Sequence, residues 1–505
     1  MSGPPAKLAL CVIDAMAPEM LERTIAAGAA PVLERLVSDG LYVPDCVAAF
    51  PSVTPVCAAS IVTGQAQDRH HIPAMNWYHR GEERYVEYGS SFRAAQRFGI
   101  ARQLTDTVYN MNRAHLSEQT PTVFESLDDA AVRTAGTTYL MYRGRHRHEP
   151  QRDTALTRVA STLMRHAVMG PRELFYADIF ASRRTGCRSG LGMPGVRDRH
   201  SGCVSAHLVE HDLFDFLLLS LPDNDWHSHK RGPEAQLSSI AQADLQLARV
   251  ANAAGGLDEF LAGHAVIVMA DHSQAPVSAA IALQDELAEL GVLGPTRPAR
   301  GTARAEAVEP RIAVCPSQRA AMVYALHAAE RDAMRASVVA MSMAIDGVDL
   351  VMWLERDAHE QPREAVIASP AHGELRFAPG GPLRDPRGLG WRLEGSLGVL
   401  GGSERQGTFV TPDYPDALAR VWSALLCPTS GEVLLSAAPG YEFMDWGRQA
   451  HVGGGSHGSL HASDSLGALV IAGLELPEPA PEQWTIRDVA PLALAHFGVD
   501  AQPAA

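Results

Sequence analysis

The sequence predicts an α/β sandwich, a central, mostly parallel sheet flanked by helices, with a β-rich subdomain inserted in its second half. Predominantly apolar runs at 7–13, 214–221 and 264–270 are one sign. They have the length and character of strands buried on both faces. Helical patterns alternate with these runs across short loops, the order of a layered α/β fold. The third sign is a change of character over 295–410, where Pro, Arg and Gly rise and short β-like runs appear.

In chain order, the run 7–13 stops at Asp14, and helical patterns follow over about 18–27 and 31–38, ending at Gly40. A second strand over 41–49 leads into Phe50-Pro-Ser-Val-Thr-Pro-Val-Cys-Ala-Ala-Ser-Ile-Val-Thr-Gly64. Pro55 suits a first helical position, where its missing N–H costs nothing. Thr54 is then expected at the N-cap, its hydroxyl at a helix end that favours anions. Both a plain cap and an activated nucleophile fit that placement. Residues 68–78 read as loop. The segment 85–205 carries weak signals, with helical pieces near 121–131 and 153–168, and is expected to hold part of the core and an inserted or lid segment. Its Arg/His run at 142–148 reads as a solvated face.

The strand 214–221 ends in Pro222-Asp-Asn-Asp-Trp-His-Ser-His-Lys-Arg-Gly-Pro233, and a long helix over 233–254 closes at Gly255-Gly256. The strand 264–270 stops at Asp271-His272, with a helix expected at about 279–290. β-like runs at 311–314, 321–324 and 348–353 and a turn-rich stretch at 377–388 mark the inserted subdomain. The core resumes near Tyr414 with a helix, a strand at 433–436, the glycine loop 453–461, a strand at 466–472 and a closing helix at 485–497. The expected division is therefore a core of 1–294 and 411–505 around an insert of 295–410.

Bulk properties narrow the function. Among 505 residues, 46% are apolar, enough for a substantial core, and 43 Lys plus Arg face 58 Asp plus Glu, a net charge of −15. That balance argues against a protein that coats a nucleic-acid polymer. A small anionic substrate remains open where metal ions supply positive charge. The seven cysteines (11, 46, 57, 187, 203, 315 and 427) form no CxxC pair. Their scatter argues against a disulfide framework or zinc knuckle and for a reducing compartment. The apolar run before Asp14 is too short for a signal core, and no later run approaches a membrane span. A soluble cytoplasmic protein is expected.

Asp14, the pair Asp223/Asp225 and Asp271 all fall just past the carboxyl end of an apolar strand, the rim where open parallel sheets bind ligands. An Asp-x-x-x-His element occurs twice in overlapping register, as Asp223…His227 and Asp225…His229. Asp271-His272 repeats the pair of ligand types, and the glycine loop offers His457 or His461. Carboxylate and imidazole are ordinary zinc ligands. With Thr54 the set suits two metal ions clamping an in-line displacement, one of them activating the Thr54 hydroxyl.

Val12-Ile-Asp-Ala-Met16, Phe50-Pro-Ser-Val-Thr54 with Ile61-Val-Thr-Gly64, the Asp-x-x-x-His-Lys-x-Gly-Pro run, Ala270-Asp-His272 and Ser456-His-Gly458 resemble the alkaline phosphatase superfamily. The nearest branch is similar to the type I phosphodiesterase/nucleotide pyrophosphatase group, with phosphonoacetate hydrolase close by. The resemblance implies an alkaline-phosphatase-like sandwich with one metal on Asp14, Thr54, Asp271 and His272. It implies a second on Asp225, His229 and His457. Asp225/His229 is preferred because His229 is followed at the family's offset by Gly232-Pro233, with Ser228 a departure from the usual glycine; His461 rivals His457. Asn76 stands where relatives keep an amide that donates to a phosphoryl oxygen, given a small insertion before it. The implied cofactors are two divalent ions, zinc or, alternatively, manganese or iron. The implied activity is hydrolysis of a phosphodiester or pyrophosphate in a small phosphorylated substrate through a phosphothreonine. A phosphomonoesterase, needing an extra cation such as Lys230 or an arginine of 143–147, a phosphonate hydrolase, and a non-catalytic binding protein are the alternatives. A sulfatase is disfavoured because Thr54 replaces the Cys or Ser that branch modifies.

Overall fold

The computed structural model describes residues 5–152, 157–158, 164–295, 309–357 and 359–501. The helix expected near 153–168 lies largely outside the described residues.

The apolar runs form the middle of an eight-stranded sheet. Lys7–Ile13 lies between Phe216–Leu221 and His264–Met269, parallel to both, and Thr134–Thr137 and Glu173–Tyr176 continue the parallel set. Leu466–Ala472 runs antiparallel to His264–Met269 and carries Leu41–Val47 at one edge. Lys7–Ile13 is apolar from Leu8 onward because helices cover both faces. Leu8, Leu10 and Val12 enter one core with the helix Thr54–Thr63, while Ala9, Cys11 and Ile13 enter another with Pro18–Ala26 and Gln236–Asn252. Both early helices open on proline, Pro18 and Pro31, where a missing N–H is free of cost.

A second, nine-stranded sheet is built from residues between Ile312 and Val410 together with Val433–Ala437. Val433–Ala437, expected in the first sheet, instead pairs antiparallel with Ala320–Ala325 and Val348–Arg356. Its alternation cannot name its neighbours. The β-rich layer thus uses chain beyond residue 410. Residues of both sheets share one apolar core, including Leu218, Met322, Leu350 and Leu434.

Three local expectations change. Residues 275–281 form a strand, Ala275–Ile281, and only short helical pieces follow at Leu283–Glu286 and Ala288–Leu290. Within 68–78, a short helix Gln67–His70 precedes the strand Asn76–His79. Cys187 and Cys203 form a disulfide, closing the loop before the helix Arg197–Glu210. The scattered cysteines therefore do contain one bonded pair, because the fold brings distant positions together. The other five are buried and free. Among the described residues no helix is long and apolar enough to cross a membrane.

Candidate active site

The helix Thr54–Thr63 starts one residue earlier than the N-cap expectation. Val53 is extended (φ −115°, ψ 143°) and its carbonyl accepts from the Cys57 N–H, making Thr54 the first helical residue and Pro55 the second. Proline fits either place because the first-turn N–H groups have no helical partner. Thr54 is therefore not spent on capping: its hydroxyl donates to His272 Nε2 at 3.3 Å.

Neighbouring strands bring the carboxylates to that hydroxyl. Val12 pairs with Met269, so Asp14 and Asp271 leave adjacent strand ends side by side. Asp271 Oδ1 accepts from the Ala15 N–H at 3.1 Å. His272 Nε2 lies 3.4 Å from Asp271 Oδ2 and 3.7 Å from Asp14 Oδ1. Asp225 and His229 stand one turn apart on the helix Asp223–Arg231, with Nε2 3.3 Å from Oδ1. His457 Nε2 lies 3.6 Å from the same Asp225 oxygen and 3.2 Å from His229 Nε2, and its ring stacks on His272 with centroids 3.7 Å apart. The glycine loop permits the approach: a Cβ at Gly454 would meet the His229 carbonyl at 2.0 Å.

The proton positions follow from the partners. His229 Nδ1 bonds the Gly455 carbonyl at 2.8 Å, His272 Nδ1 that of Ser273 at 3.1 Å, and His457 Nδ1 that of Ser52 at 2.6 Å. A carbonyl only accepts, so each Nδ1 carries the hydrogen and each Nε2 presents a lone pair. Three imidazole lone pairs and three carboxylates thus converge. Asp14 Oδ1 is buried there without a hydrogen-bond partner. Burial, then the neighbouring Asp271, pushes the Asp14 carboxyl well above its ordinary range, and burial raises Asp271 too. Burial also lowers His229, and burial with the neighbouring His272 lowers His457. Groups that would carry negative charge or hold a lone pair, packed in low dielectric, fit divalent cations. Two ligand groups emerge from the geometry: Asp14, Asp271 and His272, and Asp225, His272 and His457.

The rival residues are engaged elsewhere. Asp223 accepts from Arg197 Nε and from the Gly195 and Asp198 N–H groups, and the His227 ring lies against Trp226. His461 Nδ1 accepts from the Ser463 N–H, capping the helix Ala462–Ser465. Asn76 is not brought into the cluster. Its amide donates to the Val86 carbonyl at 3.0 Å within a hairpin, and its neighbour Met75 lines the cavity beside Thr54. In the Arg/His run Arg143 is buried on Glu125, whereas 145–147 are exposed as expected, Arg145 pairing with Glu125 and Asp129. Lys230 rests over the Trp226 ring, 4.9 Å from its centroid.

Sequence reasoning missed the supporting shell. Gln274 donates to Asp225, the Gln318 amide meets His229 Nε2 at 3.3 Å, and Glu442 holds His451, whose ring lies 4.1 Å from that of His229. Only the position of Gln274, two residues past His272, hinted at its role. A cavity of about 350 Å³ opens from Asp14, Thr54, Asp225 and Asp271.

No curated protein matches the sequence significantly. Solved structures do match the fold. Phosphonoacetate hydrolase from Sinorhizobium meliloti 1021, in complex with phosphonoformate, is 18% identical with a TM-score of 0.54, covering 98% of this chain and 96% of that one. Murine ectonucleotide pyrophosphatase/phosphodiesterase 5, an inactive variant in complex with AMP, is 12% identical with a TM-score of 0.54, covering 99% and 96%. A family model described as type I phosphodiesterase / nucleotide pyrophosphatase matches residues 8–372. The chain belongs to that family and is a hydrolase of its type, acting on phosphoesters.

Proposed function

We propose that the chain hydrolyses phosphodiester or pyrophosphate bonds of a small phosphorylated substrate at a two-metal site, through a phosphothreonine on Thr54. The convergence of lone-pair donors on a hydroxyl at the start of a helix carries this reading. Asp14, Thr54, Asp271 and His272 would hold one cation and Asp225, His229 and His457 the other. When bound, the cations, zinc by the mixed ligand set, supply positive charge that lowers the Thr54 pKa and neutralises phosphoryl oxygens.

The protein's own part is positional. The helix start fixes Thr54 for in-line attack, its oxygen forming a bond to phosphorus as the bond to the leaving oxygen breaks. Water then cleaves the phosphothreonine and returns the hydroxyl. The Nδ1 bonds hold the three imidazoles in one tautomer throughout. Asn76 supports the site at one remove through its hairpin.

A diester is favoured over a monoester. Lys230, Arg143, Arg145 and Arg147, the expected extra cations, are absent from the described cavity lining, and the arginine that is there, Arg197, is paired with Asp223. The neighbour that binds phosphonoformate keeps phosphonates as the second reading. The test is metal analysis with parallel rates on bis-p-nitrophenyl phosphate and p-nitrophenyl phosphate. About two metals per chain and a diester preference are expected. Thr54→Ala is expected to lower kcat/KM by about 10³-fold or more, as loss of a nucleophile does. Full activity in that variant would remove Thr54 from the mechanism.

A further inference from the structure

The described lining of the cavity beside Thr54 combines the carboxylates Asp14, Asp225 and Asp271 with a largely apolar wall that includes Leu104, Val108, Tyr139, Tyr176, Ile179 and Leu191. Apart from those carboxylates, the described lining residues include a single charged side chain, Arg197. Its Nε is paired with Asp223 at 2.9 Å and its Nη2 donates to the Pro222 carbonyl at 3.0 Å. The charge is thus matched in place. Polar groups on the wall are also engaged: the Thr107 hydroxyl with the Tyr88 and Gln103 carbonyls, and the Tyr88 hydroxyl with His115. Tyr139 differs from these. It is 5% exposed and its hydroxyl is buried without a hydrogen-bond partner.

Resting on the phosphoester-hydrolase reading, we infer that this chamber binds an uncharged, largely apolar substituent of the phosphoester, aryl or alkyl. The Tyr139 hydroxyl donates a hydrogen bond to the bound ester. Among the described lining residues a second anionic group on the substrate meets no unmatched cation, and burying it unpaired is costly. An apolar ring instead covers apolar surface and gains from doing so. The buried, unpartnered hydroxyl is the pattern of a site that completes its hydrogen bonds with a ligand.

The test compares p-nitrophenyl diesters that share one leaving group and differ in the retained substituent: phenyl, methyl and 2-carboxyethyl. With metal-loaded enzyme, the phenyl ester is expected to exceed the methyl ester in kcat/KM by about tenfold or more, as burial of a ring allows. The 2-carboxyethyl ester should fall below both. Calorimetry on the metal-loaded Thr54→Ala protein should show phenylphosphonate binding more tightly than 2-carboxyethylphosphonate. Leu104→Arg, at a half-buried position, should collapse the phenyl-to-methyl ratio and improve the 2-carboxyethyl ester, a gain that misfolding cannot mimic. Tyr139→Phe should lower kcat/KM on phenyl and methyl esters alike. Equal rates on all three esters, or a preference for the carboxylate, would overturn the inference and leave the hydrolase reading standing. No turnover of any ester would overturn both.

Discussion

His457 and His461 stand on one glycine-rich loop, and their ring nitrogens meet different partners. His457 gives Nδ1–H to Ser52 and aims Nε2 at Asp225, whereas His461 uses Nδ1 to cap the turn behind it. His457→Ala is expected to lose about one metal equivalent per chain. Its kcat/KM should fall beyond the roughly 100-fold that loss of a supporting partner costs. His461→Ala should keep both metals, and elemental analysis of the two purified variants decides. The overlapping pairs Asp223/His227 and Asp225/His229 show how far residue spacing reaches. Both fit a helical turn, and the offset to Gly232-Pro233 selects the pair that the fold brings to Thr54. The bond of the Asn76 amide to the Val86 carbonyl was not legible, because it depends on the pairing of two strands that spacing alone does not reveal.

The hairpin of Asn76–His79 and Arg84–Glu87 carries its own titration. Burial raises the Glu87 carboxyl from 4.5 to about 7, opposed by the Ser90 and Gly89 N–H groups it accepts from. Between these values the folded state binds more protons than the unfolded state, so stability from this group is full below pH 4.5 and lost as pH rises to 7. The cost above that window is of order 3 kcal/mol. Glu87→Gln stays neutral and keeps an acceptor for both N–H groups. Denaturant melts should show it more stable than wild type at pH 8, with the difference vanishing near pH 4. Elements with strong periodicity, such as the helix Gln236–Asn252, were legible; the strand Ala275–Ile281 was not, because a short apolar run suits a strand or a helix.

At the scale of the molecule, the proposed cations would tie stability to the site's buried carboxylates. Removing metal leaves Asp14 and Asp271 with carboxyls raised by burial, a penalty that grows as pH rises. Chelation is expected to lower the thermal midpoint, more at pH 8 than at pH 6. The loss should approach about 4 kcal/mol per site where metal exceeds its Kd a thousandfold. Calorimetry with and without chelator, across pH, checks this. The two-sheet architecture was legible because the central strands are almost entirely apolar. The place of Val433–Ala437 was not, since it rests on pairing with strands about 80 and 110 residues earlier, and loop closure at such separations leaves no local trace.

The bond from His457 to the Ser52 carbonyl joins positions 405 residues apart, and the one from His229 to Gly455 spans 226. During synthesis, then, Asp14 and Thr54 leave the ribosome long before the histidine that completes their neighbourhood. A nascent chain stopped short of residue 457 lacks one member of the group Asp225, His272 and His457. The cation proposed there would therefore be loaded only after residue 457 has been made.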